Sequence, residues 1–219
     1  MSYVLPQVSK PAKSWTRRKQ ARPGEILEAA QRVFAEKGFA ATRMEDIAAR
    51  AGVTKGTIYL YFPGKEEVFK TLARESVGAT LTDAALQASR YEGSAREFLT
   101  MFLTAVATMI QNSERVALPK IIISESGNFP ELARFWRTEV IDKAMALLSG
   151  VIAKGIARGE LRDLPPEHIA RLCIAPLLLS IIWRTTFETY DKTPFDYRKL
   201  FETHIDVLLK GLAPEGNDP

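Results

Sequence analysis

The sequence predicts an all-α protein: a small three-helix head carrying a helix-turn-helix, then a larger helical body, about nine helices in all. Three observations lead there. Apolar residues recur at helical spacing along most of the chain, and no stretch makes a persuasive strand; Val116–Ile123 is rich in branched residues, but Pro119 argues against one. Glycines and prolines fall where helices stop and start. The stretch from Thr42 to Lys65, TRMEDIAARAGVTKGTIYLYFPGK, reads as two short helices joined by a tight turn.

The elements follow in order. Residues 1–22 read as a basic disordered arm with six cations (Lys10, Lys13, Arg17, Arg18, Lys19, Arg22) and no acid, either a solvated tail or an arm for DNA phosphates or a minor groove. Pro23 fits the first turn of a helix that carries Ile26, Ala30, Val33 and Phe34 and stops at Gly38. Residues 23–67 form the head. The body spans 68–212, with 213–219 as a tail. Lys65 to about Tyr91 is one long helix, broken by Gly93. Ser94 and Glu97 have capping-box spacing and open the next. A shorter helix around Arg115–Ser124 has Pro119 near its first turn. Asn128, Pro130 and Glu131 announce a helix to about Ala157, closed by Gly159. Pro165 and Pro166 open another to about Glu188. Thr193 as cap, Pro194 at the first position and Asp196 open the last, which ends before Gly211.

Charge is unevenly placed. Residues 1–62 hold 11 Lys/Arg against 5 Asp/Glu, and residues 63–219 hold 19 against 21. A basic first third on a slightly acidic remainder places an electrostatic footprint for nucleic acid at one end. The one cysteine, Cys173, cannot form an internal disulfide, which suits a reducing cytoplasm, and it reads as a small buried hydrophobe. No signal-type apolar stretch is visible at the N-terminus. The most apolar run, Leu172 to Trp183, is too short to span a bilayer, so a buried helix and no membrane partner are expected. His168 and His204 lack metal-ligand spacing. There is no P-loop, no G-x-S-x-G and no glycine-rich strand-to-helix turn. No metal, cofactor, catalytic residue or enzymatic activity is therefore expected.

Within the motif, Thr42 can cap the first short helix, with Glu45 returning the bond. Ile47, Ala48 and Ala51 form its inner face, Ala48 being small where two helices cross closely. Gly52 suits a sharp turn, and Val53 plugs it. Thr54 can cap the second helix, which turns Ile58 and Phe62 inward. Its outer surface holds Thr54, Lys55, Gly56, Thr57, Tyr59, Leu60 and Tyr61, with no acid between Arg50 and Lys65. Hydroxyls, a cation and a glycine suit a duplex groove and its phosphates. Lys65, at the start of the next helix, has the place of a phosphate clamp.

Thr42, Ile47-Ala48, Ala51-Gly52-Val53, Gly56-Thr57-Ile58-Tyr59, Tyr61-Phe62 and Lys65 together resemble the head of the tetracycline-repressor (TetR) family of bacterial transcription regulators, over about residues 23–70. The resemblance implies a cytoplasmic homodimer on double-stranded operator DNA of palindromic sequence, released by a small-molecule effector. A regulator of the same fold that activates, or that needs no inducer, is the alternative. The resemblance places DNA contacts on Arg43, Thr54, Lys55, Gly56, Thr57, Tyr59, Tyr61 and Lys65. Arg43 stands where the family often has a small hydroxyl residue, and Glu45 where some members carry a base-reading cation.

The same resemblance pairs the last two long helices, about 166–188 and 194–210, with their copies in the dimer. Apolar side chains nearly all round 166–187 agree, although completion of a monomer core would use them too. Large side chains on the middle helices, Phe98, Phe102, Met109, Phe135, Trp136, Trp183 and Phe187, are candidates for an apolar effector pocket or simply core. Arg184, Glu188 and His168 could orient a polar end.

Overall fold

A computed structural model describes residues 15–112 and 116–214, with the backbone alone for 15–22, 109, 111–112 and 117. Every regular element among the described residues is helical. Nine helices follow one another: α1 (Trp15–Ala41), α2 (Met44–Arg50), α3 (Lys55–Tyr59), α4 (65–90), α5 (Ala95–Asn112), α6 (Ala117–Glu125), α7 (130–157), α8 (Pro166–Tyr190) and α9 (Tyr197–Gly211). Three of them contain a wide, π-helical turn: Arg74–Gly78 in α4, Arg137–Ile141 in α7 and Trp183–Phe187 in α8. The first two of these turns pack against each other.

Most boundaries follow from local chemistry. Gly38 takes φ 75° and turns the chain so that Phe39 folds back into the core, fully buried. Before α5, the Ser94 N–H donates to Glu97 Oε2 and the Glu97 N–H to Ser94 Oγ, both at 3.1 Å, a reciprocal capping box. Gly159, at φ 70°, ends the run of α7.

Four expectations need correction. The backbone is helical from Trp15, so Pro23 lies inside α1 rather than at its first turn, and the irregular arm does not reach Arg22; residues 1–14 lie outside the described residues. Thr42 does not cap α2. It is buried, and its hydroxyl donates to the Gly38 carbonyl at 2.6 Å; Arg43 is the cap residue, and the Asp46 carboxylate, not Glu45, accepts its N–H at 3.0 Å. The last helix starts at Tyr197 and is capped by Asp196, which accepts the Lys199 N–H at 3.0 Å, so Thr193 and Pro194 precede it. The fourth concerns α8, which is 25 residues long and apolar enough to cross a membrane by length and composition, because it extends at both ends beyond Leu172–Trp183.

Core packing joins head and body. Ile26, Val33, Phe34, Phe39, Ile47, Ile58 and Phe69 of the head share one apolar cluster with Leu118 and Ile121 of α6 and Leu132 and Trp136 of α7. A second cluster fills the body between α5, α7 and α8, around Leu99, Leu103, Leu148, Ile152 and Cys173. A third, small one joins Ala107 and Ile110 of α5 to Tyr197 and Phe201 of α9. Cys173 is fully buried, and loss of hydration pushes its thiol up to about 12. The native protein should therefore resist a thiol reagent such as dithionitrobenzoate at pH 8 and react fully once unfolded in guanidinium. Rapid reaction of the folded protein would show that the centre of α8 is open.

Candidate nucleic-acid interface and effector site

The helix-turn-helix is built by small residues at its crossing and by short-range bonds. Ala48 is buried where α2 meets the core. Gly52 adopts φ 65°, and the Val53 N–H reaches back to the Ala48 carbonyl at 3.0 Å. Thr54 then caps α3: its Oγ1 accepts the Thr57 N–H at 3.1 Å and lies 2.8 Å from Thr57 Oγ1. Ile58 and Phe62 are buried, which fixes the opposite face of α3 outward. Thr54, Lys55, Gly56 and Tyr59 are exposed there, Thr57 and Tyr61 are half-buried, and Leu60 is 82% exposed. Arg43 is exposed at the cap of α2.

Gly56 is informative. Its φ is not left-handed, and a Cβ built there would meet only Thr54 Oγ1, at 3.9 Å. The fold does not require glycine here, although glycine weakens a helix by about 0.5–1 kcal/mol relative to alanine. A bare backbone on the exposed side of α3 permits a close approach from outside.

Ion pairs frame this surface. Glu45, released from capping, reaches Lys55 at 2.6 Å, and that hydrogen bond holds its carboxyl below the usual range and raises the Lys55 ammonium. Asp46 pairs with Lys37 at 2.7 Å. The outer face of α3 thus presents hydroxyls and one cation matched by a carboxylate at its edge.

Lys65 differs from its expected role. Its ammonium donates to the carbonyls of Phe39 (2.8 Å), Ala40 (2.9 Å) and Thr42 (3.1 Å), and it lies 4.7 Å from the Phe39 ring centroid and 5.5 Å from that of Phe129. All three N–H bonds are occupied inside the protein. Lys65 therefore ties the end of α1 to α4, and its side chain is not free for a phosphate.

Comparison with known proteins matches this arrangement. The family model of bacterial regulatory proteins, tetR family, fits residues 26–72, and that of the tetracyclin repressor-like C-terminal domain fits residues 90–192. The chain belongs to the TetR family. Its relatives include the fatty acid metabolism regulator protein of Bacillus subtilis (strain 168), 26% identical over 196 residues, which are 89% of this chain and 98% of that protein. The transcriptional regulator RutR of Escherichia coli (strain K12) is 27% identical over 188 residues, 80% of this chain and 76% of RutR. Among solved structures, the ketosteroid transcriptional regulator KstR2 of Mycobacterium tuberculosis has a TM-score of 0.66 at 26% identity, covering 89% of this chain and 96% of that one. The B. subtilis regulator FadR, solved in complex with stearoyl-CoA, has a TM-score of 0.72 at 24% identity, covering 86% and 98%.

In this TetR-family regulator the aromatic residues considered for an effector pocket do not converge. Phe98 and Phe102 stack at 6.5 Å within the body cluster, beside Tyr91. Trp136 and Phe135 belong to the cluster shared with the head, and Arg74 lies 4.9 Å from the Phe135 ring. Trp183 and Phe187 face outward on α8, with their rings 5.5 Å apart. The Met109 side chain lies outside the described residues. An open groove of about 450 Å³ lies between α4 and α7, lined by Leu81, Ala85, Leu147 and Val151 with Lys143 and Lys154 at its edge, and none of the seven candidates lines it.

The polar candidates divide as well. His168 is exposed. Arg184 turns Nη1 inward, where that atom is buried without a hydrogen-bond partner among the described residues. Ser180 Oγ, Tyr197 OH and His204 Nε2 share that condition, and none of the three was singled out as a polar anchor from the sequence. A signal was available: Ser180 and Arg184 are four residues apart, Tyr197 and His204 seven, so each pair shares one helical face.

The turn geometry yields a test. Gly52→Ala should cost about 1–2 kcal/mol, the penalty of a Cβ in left-handed backbone, and lower the urea midpoint with m unchanged. Unaltered stability would mean that the turn does not need its positive φ.

Proposed function

We propose that this regulator is a homodimeric repressor that sets α3 of each copy into the major groove of a palindromic operator and lets go when a small apolar or aromatic effector binds its body. The outer face of α3 carries the DNA reading. Thr54, Lys55, Gly56 and Tyr59 stand out from it, no acid interrupts 51–64, and the glycine serves nothing inside the protein. Thr57, Tyr61 and Arg43 border that surface. Threonine and tyrosine hydroxyls donate to phosphates and base edges, and the Lys55–Glu45 pair is exposed, so a phosphate can exchange with the carboxylate at little cost. Lys65 contributes by holding the head in shape. The cations of residues 10–22 extend the positive footprint along the backbone of the duplex. Such a protein works where the chromosome is, in the cytoplasm.

Dimerisation is supported by α8. Its inner side buries Ile169, Ala170, Cys173, Ser180 and Ile181, while Leu172 is 56% and Leu179 57% exposed, with Ile182, Trp183 and Phe187 beyond them and Val207 exposed on α9. Leu172 and Leu179 are one heptad apart, and Ile182, Trp183 and Phe187 continue that stripe. A one-sided apolar seam of this kind fits a second helix, and two heads are what two half-sites need. The length of α8 would also suit a bilayer, but its other side is packed into α7 and α5 and could not leave the body without exposing that core. For the effector, two relatives bear names concerning apolar molecules, fatty acids and ketosteroids, which agrees with a body filled largely by apolar side chains.

Selection of duplexes from a random pool should return an inverted repeat with half-site centres about 10 bp apart or a multiple of it. Leu179→Glu should give a helical monomer in analytical ultracentrifugation that has lost operator affinity by at least tenfold. A motif without dyad symmetry, or an intact dimer in Leu179→Glu, would contradict the proposal.

A further inference from the structure

The body contains a polar group of side chains that its own packing leaves unmatched. Ser180 Oγ and Arg184 Nη1 on α8, and Tyr197 OH and His204 Nε2 on α9, are buried without a hydrogen-bond partner among the described residues. Ser180 is 1% and Tyr197 5% exposed. Four such atoms on two neighbouring helices are unusual, because buried polar groups are nearly always paired and each orphan is costly. The two helices pack together in opposite directions around a short connection, which brings Arg184 near Tyr197. Around Tyr197 lie apolar side chains: Val106, Ala107 and Ile110 of α5, Leu177 of α8 and Phe201 of α9.

The donor set defines what could complete it. A guanidinium only donates; serine and tyrosine hydroxyls can donate; a neutral imidazole offers one N–H. Two acids lie nearby: Asp191 accepts the Trp183 indole N–H at 2.7 Å, and Glu188 is close enough to Tyr197 to add to the rise that burial imposes on its hydroxyl, yet Arg184 Nη1 has no partner among the described residues. A half-buried cation with unmet donors beside apolar walls calls for a compact, acceptor-rich anion carried on an apolar body.

The position also suits a regulatory role. Arg184 belongs to the wide turn Trp183–Phe187, and in that turn the Thr185 carbonyl accepts from Lys120 Nζ of α6 at 2.6 Å. At the other end of α6, Glu125 Oε1 accepts the Ala40 N–H of the head at 3.2 Å. One short helix thus touches both the turn that carries Arg184 and the DNA-binding head. Wide turns of this kind recur at functional sites.

We propose that Ser180, Arg184, Tyr197 and His204 form the anchor for the effector, and that the effector is a carboxylate-bearing amphiphile whose apolar part lies among Val106, Ile110, Leu177 and Phe201. This assignment rests on the reading of the chain as an effector-controlled regulator and specifies its ligand class.

The test uses full-length protein and a set of single-headed probes: hexanoate, decanoate, hexadecanoate and benzoate, with 1-decanol and decanoyl-CoA as controls for charge and for a thioester in place of the carboxylate. Calorimetry and thermal shift should show binding by at least one carboxylate and none by 1-decanol. Arg184→Met should weaken that binding at least tenfold and Tyr197→Phe several-fold, while both variants keep the wild-type helical signal and operator affinity. The carboxylate should also release wild-type protein from its selected operator. Equal binding by 1-decanol, binding of decanoyl-CoA alone, undiminished carboxylate binding in Arg184→Met, or no binding by any probe would each overturn the assignment. In the last case, dyad-symmetric DNA selected by the same preparation would leave the regulator reading intact, and the four polar atoms would be met by water only.

Discussion

Lys65 holds the head together through one ammonium group. Its three hydrogen bonds gather the carbonyls of Phe39, Ala40 and Thr42, between the kink at Gly38 near the end of α1 and the start of α2. Those carbonyls sit at a helix end and would otherwise lack partners inside a tight turn. The charge rests on the Phe39 and Phe129 rings, which meet edge to face at 4.9 Å, and Phe34 and Phe69 enclose Phe39 from the other side. A cation over aromatic faces is stabilised by their quadrupoles while its hydrogen bonds replace water. The angle between α1 and the helix-turn-helix depends on this joint.

The joint also connects head to body. Phe129 belongs to the segment between α6 and α7, so the ring that supports Lys65 is part of the body. The apolar cluster runs without interruption from Ile26 in α1 to Ala144 in α7. Close-packed cores shift between discrete arrangements more readily than they stretch, so a displacement of α6 or α7 must reorient the head or break its seat. Two wide turns facing each other, in α4 and α7, lie where the body meets the head, beside Arg74 and Phe135.

Much of this was legible in the residues. Gly52 marked a left-handed turn and Gly38 and Gly159 marked helix ends, Ser94 and Glu97 gave their capping box, and Thr54 capped α3, because each depends on partners within a few positions in sequence. The errors arose where two residues compete for one local role. Thr42 lost the cap of α2 to Arg43 and Asp46 because its hydroxyl found Gly38 instead. Asp196 took the cap of α9 from Thr193. Lys65 looked like a phosphate ligand because its place at a helix start was visible, while its carbonyl partners 23 to 26 positions earlier were not. Effector candidates chosen by size alone scattered over three regions, since aromatic bulk marks core and exposed helix face as readily as a pocket. The unmatched polar atoms of α8 and α9 emerge only when two helices are laid together.

The most direct measurement compares wild type with Lys65→Met in two readouts: amide hydrogen exchange over residues 39–65 and the salt dependence of operator binding. If Lys65 is the internal brace of the head, exchange over that segment rises markedly, operator affinity falls, and the slope of log affinity against log salt is unchanged. Unchanged exchange together with a slope reduced by about one would mark Lys65 as a phosphate contact and contradict the account.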